Sequence, residues 1–174
     1  MRSFQERFPS PHGWLYDTVD GPAGDDPALR PNQLLAYGLP HAPLRGSGDP
    51  TAVHAVARSL LTPLGLRTLA PDSLEYEGRH RGDPAARDRA YHQGTAWPWL
   101  IGPFVDAATR SGFDVDGVLD GLEAHLGEWG IGSVSETADG DPPHAATGCP
   151  FQAWSVAELL RARRVLAQRA GTAG

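Results

Sequence analysis

The chain has 174 residues, 40% of them hydrophobic, which suits one domain with a real core and leaves no room for two large ones. A net charge of −6 argues against a nucleic-acid surface. No apolar run approaches the ~20 residues of a membrane span, and the polar start, Met1 to Pro11, lacks the apolar centre of a signal peptide.

Glycine and proline are frequent, 21 and 16 residues, so much of the chain is expected in turns and loops. In chain order, residues 1–11 read as an N-terminal extension. A first helix is predicted from about Asn32 to Leu39, entered through Pro31 and stopped before Pro40. A second follows the cap pair Asp49-Pro50 and carries Val53, Val56, Ala57 and Leu60. The long segment from Arg67 to Ala96 has no sustained apolar period. After the break at Gly94-Thr95, residues Trp97, Leu100, Ile101, Phe104, Val105 and Ala108 share one helical face, with Pro98 in the first turn. Val115, Val118, Leu119, Leu122 and Leu126 form another. A second long loop runs from Trp129 to Cys149. The last predicted helix places Ala153, Val156, Ala157 and Leu160 on its apolar face and runs to about Gln168, with Arg161, Arg163 and Arg164 as a solvated basic face near its end. Residues 169–174 read as a flexible tail. Short strands are admitted only near Leu15–Val19 or Ser133–Glu136. The sum is a mainly α chain with at least five helices, two of them flanking the Trp129–Cys149 loop.

Loops beyond ~12–15 residues inside a compact domain tend to be functional or disordered, and these two are rich in chemistry. There is no phosphate-binding glycine loop, and no histidine pair has the His-x-x-x-His spacing of a metal site. Neither a metal nor a cofactor is expected. The single cysteine, Cys149, cannot form an internal disulfide and suits a reducing cytoplasm. At a helix entrance it reads more simply as a small packed residue than as a nucleophile. Two blocks remain. Tyr91-His92-Gln93-Gly94-Thr95-Ala96-Trp97-Pro98-Trp99 offers aromatic faces for the C–H face of a sugar, and hydrogen-bonding groups at His92 and Gln93 for its hydroxyls. Trp97 fits the core face of the following helix; Trp99 suits either core or platform. The second block, Ser133 to His144, gathers Glu136, Asp139 and Asp141 within six residues. It reads as an exposed acidic turn or as a carboxylate site of the kind glycosidases need.

Several stretches, in order, resemble bacterial and archaeal glycogen-debranching enzymes. They are Gly13-Trp14-Leu15-Tyr16-Asp17-Thr18-Val19-Asp20-Gly21, Leu29-Arg30-Pro31-Asn32-Gln33 and Leu61-Thr62-Pro63-Leu64-Gly65-Leu66-Arg67-Thr68-Leu69. Gly82-Asp83, Arg87-Asp88, the Tyr91–Trp99 block, the Ser135-Glu136 loop and Gln152-Ala153-Trp154-Ser155-Val156-Ala157-Glu158 continue the order. The resemblance implies an (α/α)6 toroid of the six-hairpin glycosidase type over residues 12–168, and hydrolysis with inversion of α-1,6-linked glucose on an α-glucan. It assigns Glu136 as general base and places Arg67, His92 and Gln93 at the glucose; Trp99 and Asp139, from the two blocks, are added as candidate substrate contacts. The other readings left open are a toroid glycosidase acting on trehalose or small glucosides, and a non-catalytic glucan-binding remnant.

One departure matters. The family carries Trp-Gly-Arg-Asp and Trp-Met-Asp stretches, the second with its general acid, ahead of the matched region. Neither is present, and the only methionine is Met1. The expectation is therefore the C-terminal half of the toroid without its acid, inactive alone, and in need of a missing N-terminal half or of self-association.

Overall fold

The computed structural model describes residues 2–46 and 50–172. Helix α1 (Arg2–Arg7) opens the chain, and its Phe4 ring stacks on Phe8 at 4.2 Å between centroids. Strands β1 (Thr18–Gly21) and β2 (Gly24–Asp26) form an antiparallel hairpin. Next come a 3-10 turn (Pro31–Leu34) and the single turn α2 (Leu35–Gly38), where Pro31 supplies the fixed φ of a first helical position. Helix α3 (Thr51–Leu60) follows. Its expected cap, Asp49, lies outside the described residues.

The chain then reverses through β3 (Leu61–Thr62) and β4 (Gly65–Arg67). Gly65 has φ +116°, and an added Cβ would collide with the Trp97 carbonyl, so only glycine lets the two segments approach. Helix α4 (Pro84–Ala90) is capped by Asp83, whose side chain accepts from the Ala86 N–H at 2.8 Å. Strand β5 (Ala96–Trp97) leads through a 3-10 turn (Pro98–Leu100) into α5 (Ile101–Arg110). Then come α6 (Asp120–His125), β6 (Thr137–Ala138), β7 (Ala146–Thr147) and α7 (Ala153–Thr172).

The core lies between α3, α5 and α7. Val53, Val56 and Leu60 meet Ile101, Phe104, Val105 and Ala108, with Leu66, Leu159 and Ala162 completing it. Each large apolar side chain buried this way contributes about 1.5–3 kcal/mol. Helix α5 is held against α7 where Arg161 reaches across to Asp106 at 2.5 Å while bonding Glu158 at 2.6 Å.

Against this helical layer lies a five-stranded antiparallel sheet in the order β3-β4-β5-β6-β7. Its register pairs Leu66 with Trp97, Ala96 with Ala138 and Ala138 with Ala146. The expectation of a mainly α fold, the C-terminal half of an (α/α)6 toroid, is thereby corrected. Helix accounts for 41% of the chain beside two antiparallel sheets. The long loops do not wander. Their buried backbone groups need partners, and they find them in one another.

Three smaller expectations also change. The helix expected over Val115–Leu126 shrinks to α6, because an Asx turn at Asp114 (Asp116 N–H to Oδ1, 3.0 Å) and Gly117 at φ +68° break its first half. The buried side of α7 is Ser155, Leu159 and Ala162, while Leu160 is exposed. Helix α4 occupies part of the Arg67–Ala96 segment. Seven α-helices stand among the described residues, and α6 and α7 bracket the Trp129–Cys149 loop. The hairpin strand β1 overlaps the admitted Leu15–Val19 stretch, and β6 begins just after Glu136.

Candidate functional site

The β5–β6 pair joins the two chemically rich blocks. Pairing Ala96 with Ala138 sets the Tyr91–Trp99 block beside the acidic loop. Glu136 precedes β6 and extends its ladder: its N–H donates to the Cys149 carbonyl at 2.8 Å, and the Cys149 N–H donates to Glu136 Oε2 at 2.9 Å. The Tyr91 hydroxyl donates to Oε1 at 2.6 Å. Both carboxylate oxygens are thus aimed by fixed donors, while the residue stays half-buried and open to solvent on one side. Burial first, and the bond to Glu136 second, push the Tyr91 phenol up to about 12. It is therefore a proton-bearing donor at any ordinary pH.

Tyr91 is also packed. Its ring meets Trp97 edge-on at 4.7 Å, His92 at 4.9 Å and His80 at 5.4 Å, and its carbonyl accepts the Trp97 indole N–H at 3.0 Å. The His80 imidazole is held below its ordinary value, chiefly by burial and then by the Arg87 charge, with Glu136 and Asp139 opposing. Its Nδ1 is buried without a hydrogen-bond partner among the described residues.

The remaining site residues fall into two groups. His92 and Trp99 line a groove of about 390 Å³ with Trp97, Trp154, Leu100, Arg30 and Asn32. Trp99 stacks on Trp154 at 4.0 Å, and His92 stacks on Trp97 at 5.5 Å. The groove is mostly apolar, with polar groups at its edge, a form suited to a ring with one C–H face and hydroxyls around it. Glu136 does not line this groove; Tyr91 touches both it and two of the groove's rings. A second cleft of about 320 Å³, walled by Phe4, Phe8 and Leu15, holds none of the candidate residues.

Gln93, Arg67 and Asp139 are engaged by the protein itself. Gln93 accepts from Arg30 at 2.7 Å and donates to Glu75 at 3.3 Å. Arg67 donates to the Gly140 carbonyl at 2.8 Å and the Ser59 carbonyl at 3.1 Å. The Asp139 side chain is 0% exposed, accepts from the His80 N–H at 3.0 Å and pairs with Arg81 at 2.6 Å. Among the described residues no three His, Cys, Asp or Glu side chains gather as metal ligands, and no helix is long and apolar enough to cross a membrane.

Sequence reasoning missed Tyr91 and Trp154 as site residues. Tyr91 heads the aromatic block, so the signal was present; its partner Glu136 is distant in sequence. Trp154 sits on the last helix with nothing in its spacing to reveal Trp99. His125, buried on α6, is a structural neighbour of the loop: its Nε2 lies 3.4 Å from the Ser135 N–H, one residue before Glu136. A family model described as amylo-alpha-1,6-glucosidase matches residues 1–161.

Proposed function

The chain belongs to the amylo-alpha-1,6-glucosidase family, and from that premise we propose that Glu136 is the general base for hydrolysing α-1,6 branch points of an α-glucan. The family's setting is glycoside hydrolysis in glycogen debranching. The observation that carries the reading is the Glu136 carboxylate itself. It is half-open to solvent, aimed by two donors, and adjoins an aromatic groove through Tyr91.

In inverting hydrolysis a carboxylate takes a proton from water as that water attacks the anomeric carbon, and an acid on the other face protonates the departing oxygen. Glu136 does the first. The acid needs to stand ~6.5–9.5 Å away. Asp139 is buried in its ion pair and unsuited to that role; with the family's Trp-Met-Asp stretch absent from this sequence, the proposed acid is supplied by another segment or a second chain. His92 and Trp99 meet the sugar in the groove. Gln93 serves the same substrate by holding Arg30 in the groove wall, while Arg67 and Asp139 brace the acidic loop through the Gly140 carbonyl and the His80 N–H. A reducing cytoplasm is the setting.

The test is Glu136→Gln, assayed by glucose release from a branched limit dextrin, with the chain alone and co-expressed with an acid-bearing segment. The variant retains glucan binding and loses about 10²–10⁴-fold in turnover, because the amide cannot take the proton. Unchanged turnover rules out the base role. Glucose release from the 174 residues alone, abolished by Glu136→Gln, shows instead that the acid lies within them.

A further inference from the structure

We infer that Tyr91 is the positioning residue for Glu136, orienting the carboxylate from a ring packed on the Trp97 and His92 side of the aromatic groove, so that the base is aimed before a glucan arrives. The inference rests on the base assignment for Glu136 and adds how that base is held.

Three contacts carry it. The hydroxyl donates to Oε1 at 2.6 Å, short enough for a charge-assisted bond. The ring is fixed on three sides by Trp97, His92 and His80, so the hydroxyl has little freedom to swing. The Tyr91 carbonyl is tied to the Trp97 indole at 3.0 Å, and Trp97 in turn lines the groove. The same side chain therefore touches the wall where the sugar lies and the oxygen that meets the water. The Cys149 N–H on Oε2 fixes one end of the carboxylate; without Tyr91 the other is free to rotate. Because a general base acts only when its lone pair points at the attacking water, orientation here converts directly into rate.

Tyr91 stays protonated throughout. It gives Glu136 a hydrogen bond and no proton. Phenylalanine preserves the packing and deletes only that bond, so Tyr91→Phe is the clean perturbation. Tyr76→Phe is the control: that hydroxyl donates to Asp141 at 2.9 Å, a carboxylate with no part in the base assignment.

The first readout needs no turnover. Carboxyl-carbon NMR on the glutamate-labelled 174-residue chain identifies the Glu136 resonance by its loss in Glu136→Gln. Tyr91→Phe shifts that resonance at neutral pH, and Tyr76→Phe leaves it in place. Conversely, Glu136→Gln lets the Tyr91 phenol ionise at lower pH, followed by phenolate absorbance. The second readout is kinetic, on branched limit dextrin with the form of the enzyme that turns over. Tyr91→Phe lowers kcat about ten- to a hundredfold, the worth of one hydrogen bond to a charged group, and leaves KM near its original value.

An unmoved Glu136 resonance, or an unchanged kcat, overturns the inference. The base assignment fails separately. If Glu136→Gln turns over normally while Tyr91→Phe still shifts the resonance, the contact is real and the base lies elsewhere. If Glu136→Gln abolishes turnover while Tyr91→Phe does not affect it, the base stands and the positioning role falls.

Discussion

Gly148→Ala puts the packing behind the Glu136 carboxylate to a direct test. Gly148 has φ +71°, and a Cβ there would lie 2.6 Å from Glu136 Oε2 and 2.9 Å from Thr137 Oγ1. Two costs follow. A left-handed conformation costs a non-glycine residue about 1–2 kcal/mol, and forced overpacking adds about 1–3 kcal/mol. Gly112→Ala separates them. Gly112 has nearly the same φ, +73°, with nothing within 4 Å of the added carbon. It follows the end of α5, where the Phe113 N–H closes back on the Ala108 carbonyl at 3.0 Å. Gly112→Ala therefore reports the backbone cost alone. Thermal and urea unfolding by circular dichroism should place Gly148→Ala below Gly112→Ala by about 1–3 kcal/mol, or ~2–12 °C in midpoint for a domain of this size. The carboxylate must turn away to admit the methyl, which breaks its bond to Cys149 N–H, so turnover falls as well. Equal destabilisation by the two substitutions would refute the packing described around Glu136.

Trp154→Ala removes half of the stacked pair, and because Trp154 is 50% exposed the fold should lose little. Glucan affinity, by calorimetry with a dextrin, should fall roughly tenfold or more, as for a central aromatic contact; unchanged affinity would remove the groove from the binding site. His80 supplies a pH dependence. Its folded value is depressed, so its contribution to stability is fully present above the unfolded value near 6.5 and is lost as pH falls through the folded value. Urea midpoints at pH 7.5 and 5 should therefore converge in His80→Gln relative to the parent, and an identical pH difference in both proteins would contradict the burial assigned to His80.

The long helices and the core were legible because periodicity records burial: Ile101, Phe104 and Val105 sit where their spacing puts them. The last helix was legible in existence but rotated in detail. Its buried face runs through Ser155, a polar residue that spacing arguments discard. Of the five-stranded sheet, only the neighbourhood of β6 was legible, as the short strand admitted near Ser133–Glu136. Strands of two or three residues are too short to show alternation, and their partners lie far along the chain. At the site, the composition of the two loops offered aromatic rings, His92 and three carboxylates, and it was the family resemblance that singled out Glu136 among them. What composition could not convey is that Arg67 and Asp139 spend their charges inside the protein. Residue type names the chemistry available, while three-dimensional partners decide where it is used.

The pairing of β4 with β5 and of β5 with β6 has a consequence for the order in which the protein acquires its parts. Each pair closes a loop of dozens of residues, and the entropy of that closure is lost before the few hydrogen bonds form. Local helices such as α5 can flicker into place early; the sheet waits until distant segments are held together by the core. Glu136, Tyr91 and the groove all hang from that sheet. The amides of Ala96 and Ala138 should accordingly exchange with solvent only when the whole molecule opens, while those of α1 exchange through fraying. A chain stalled before the final docking would carry nearly all of its helix and none of its site.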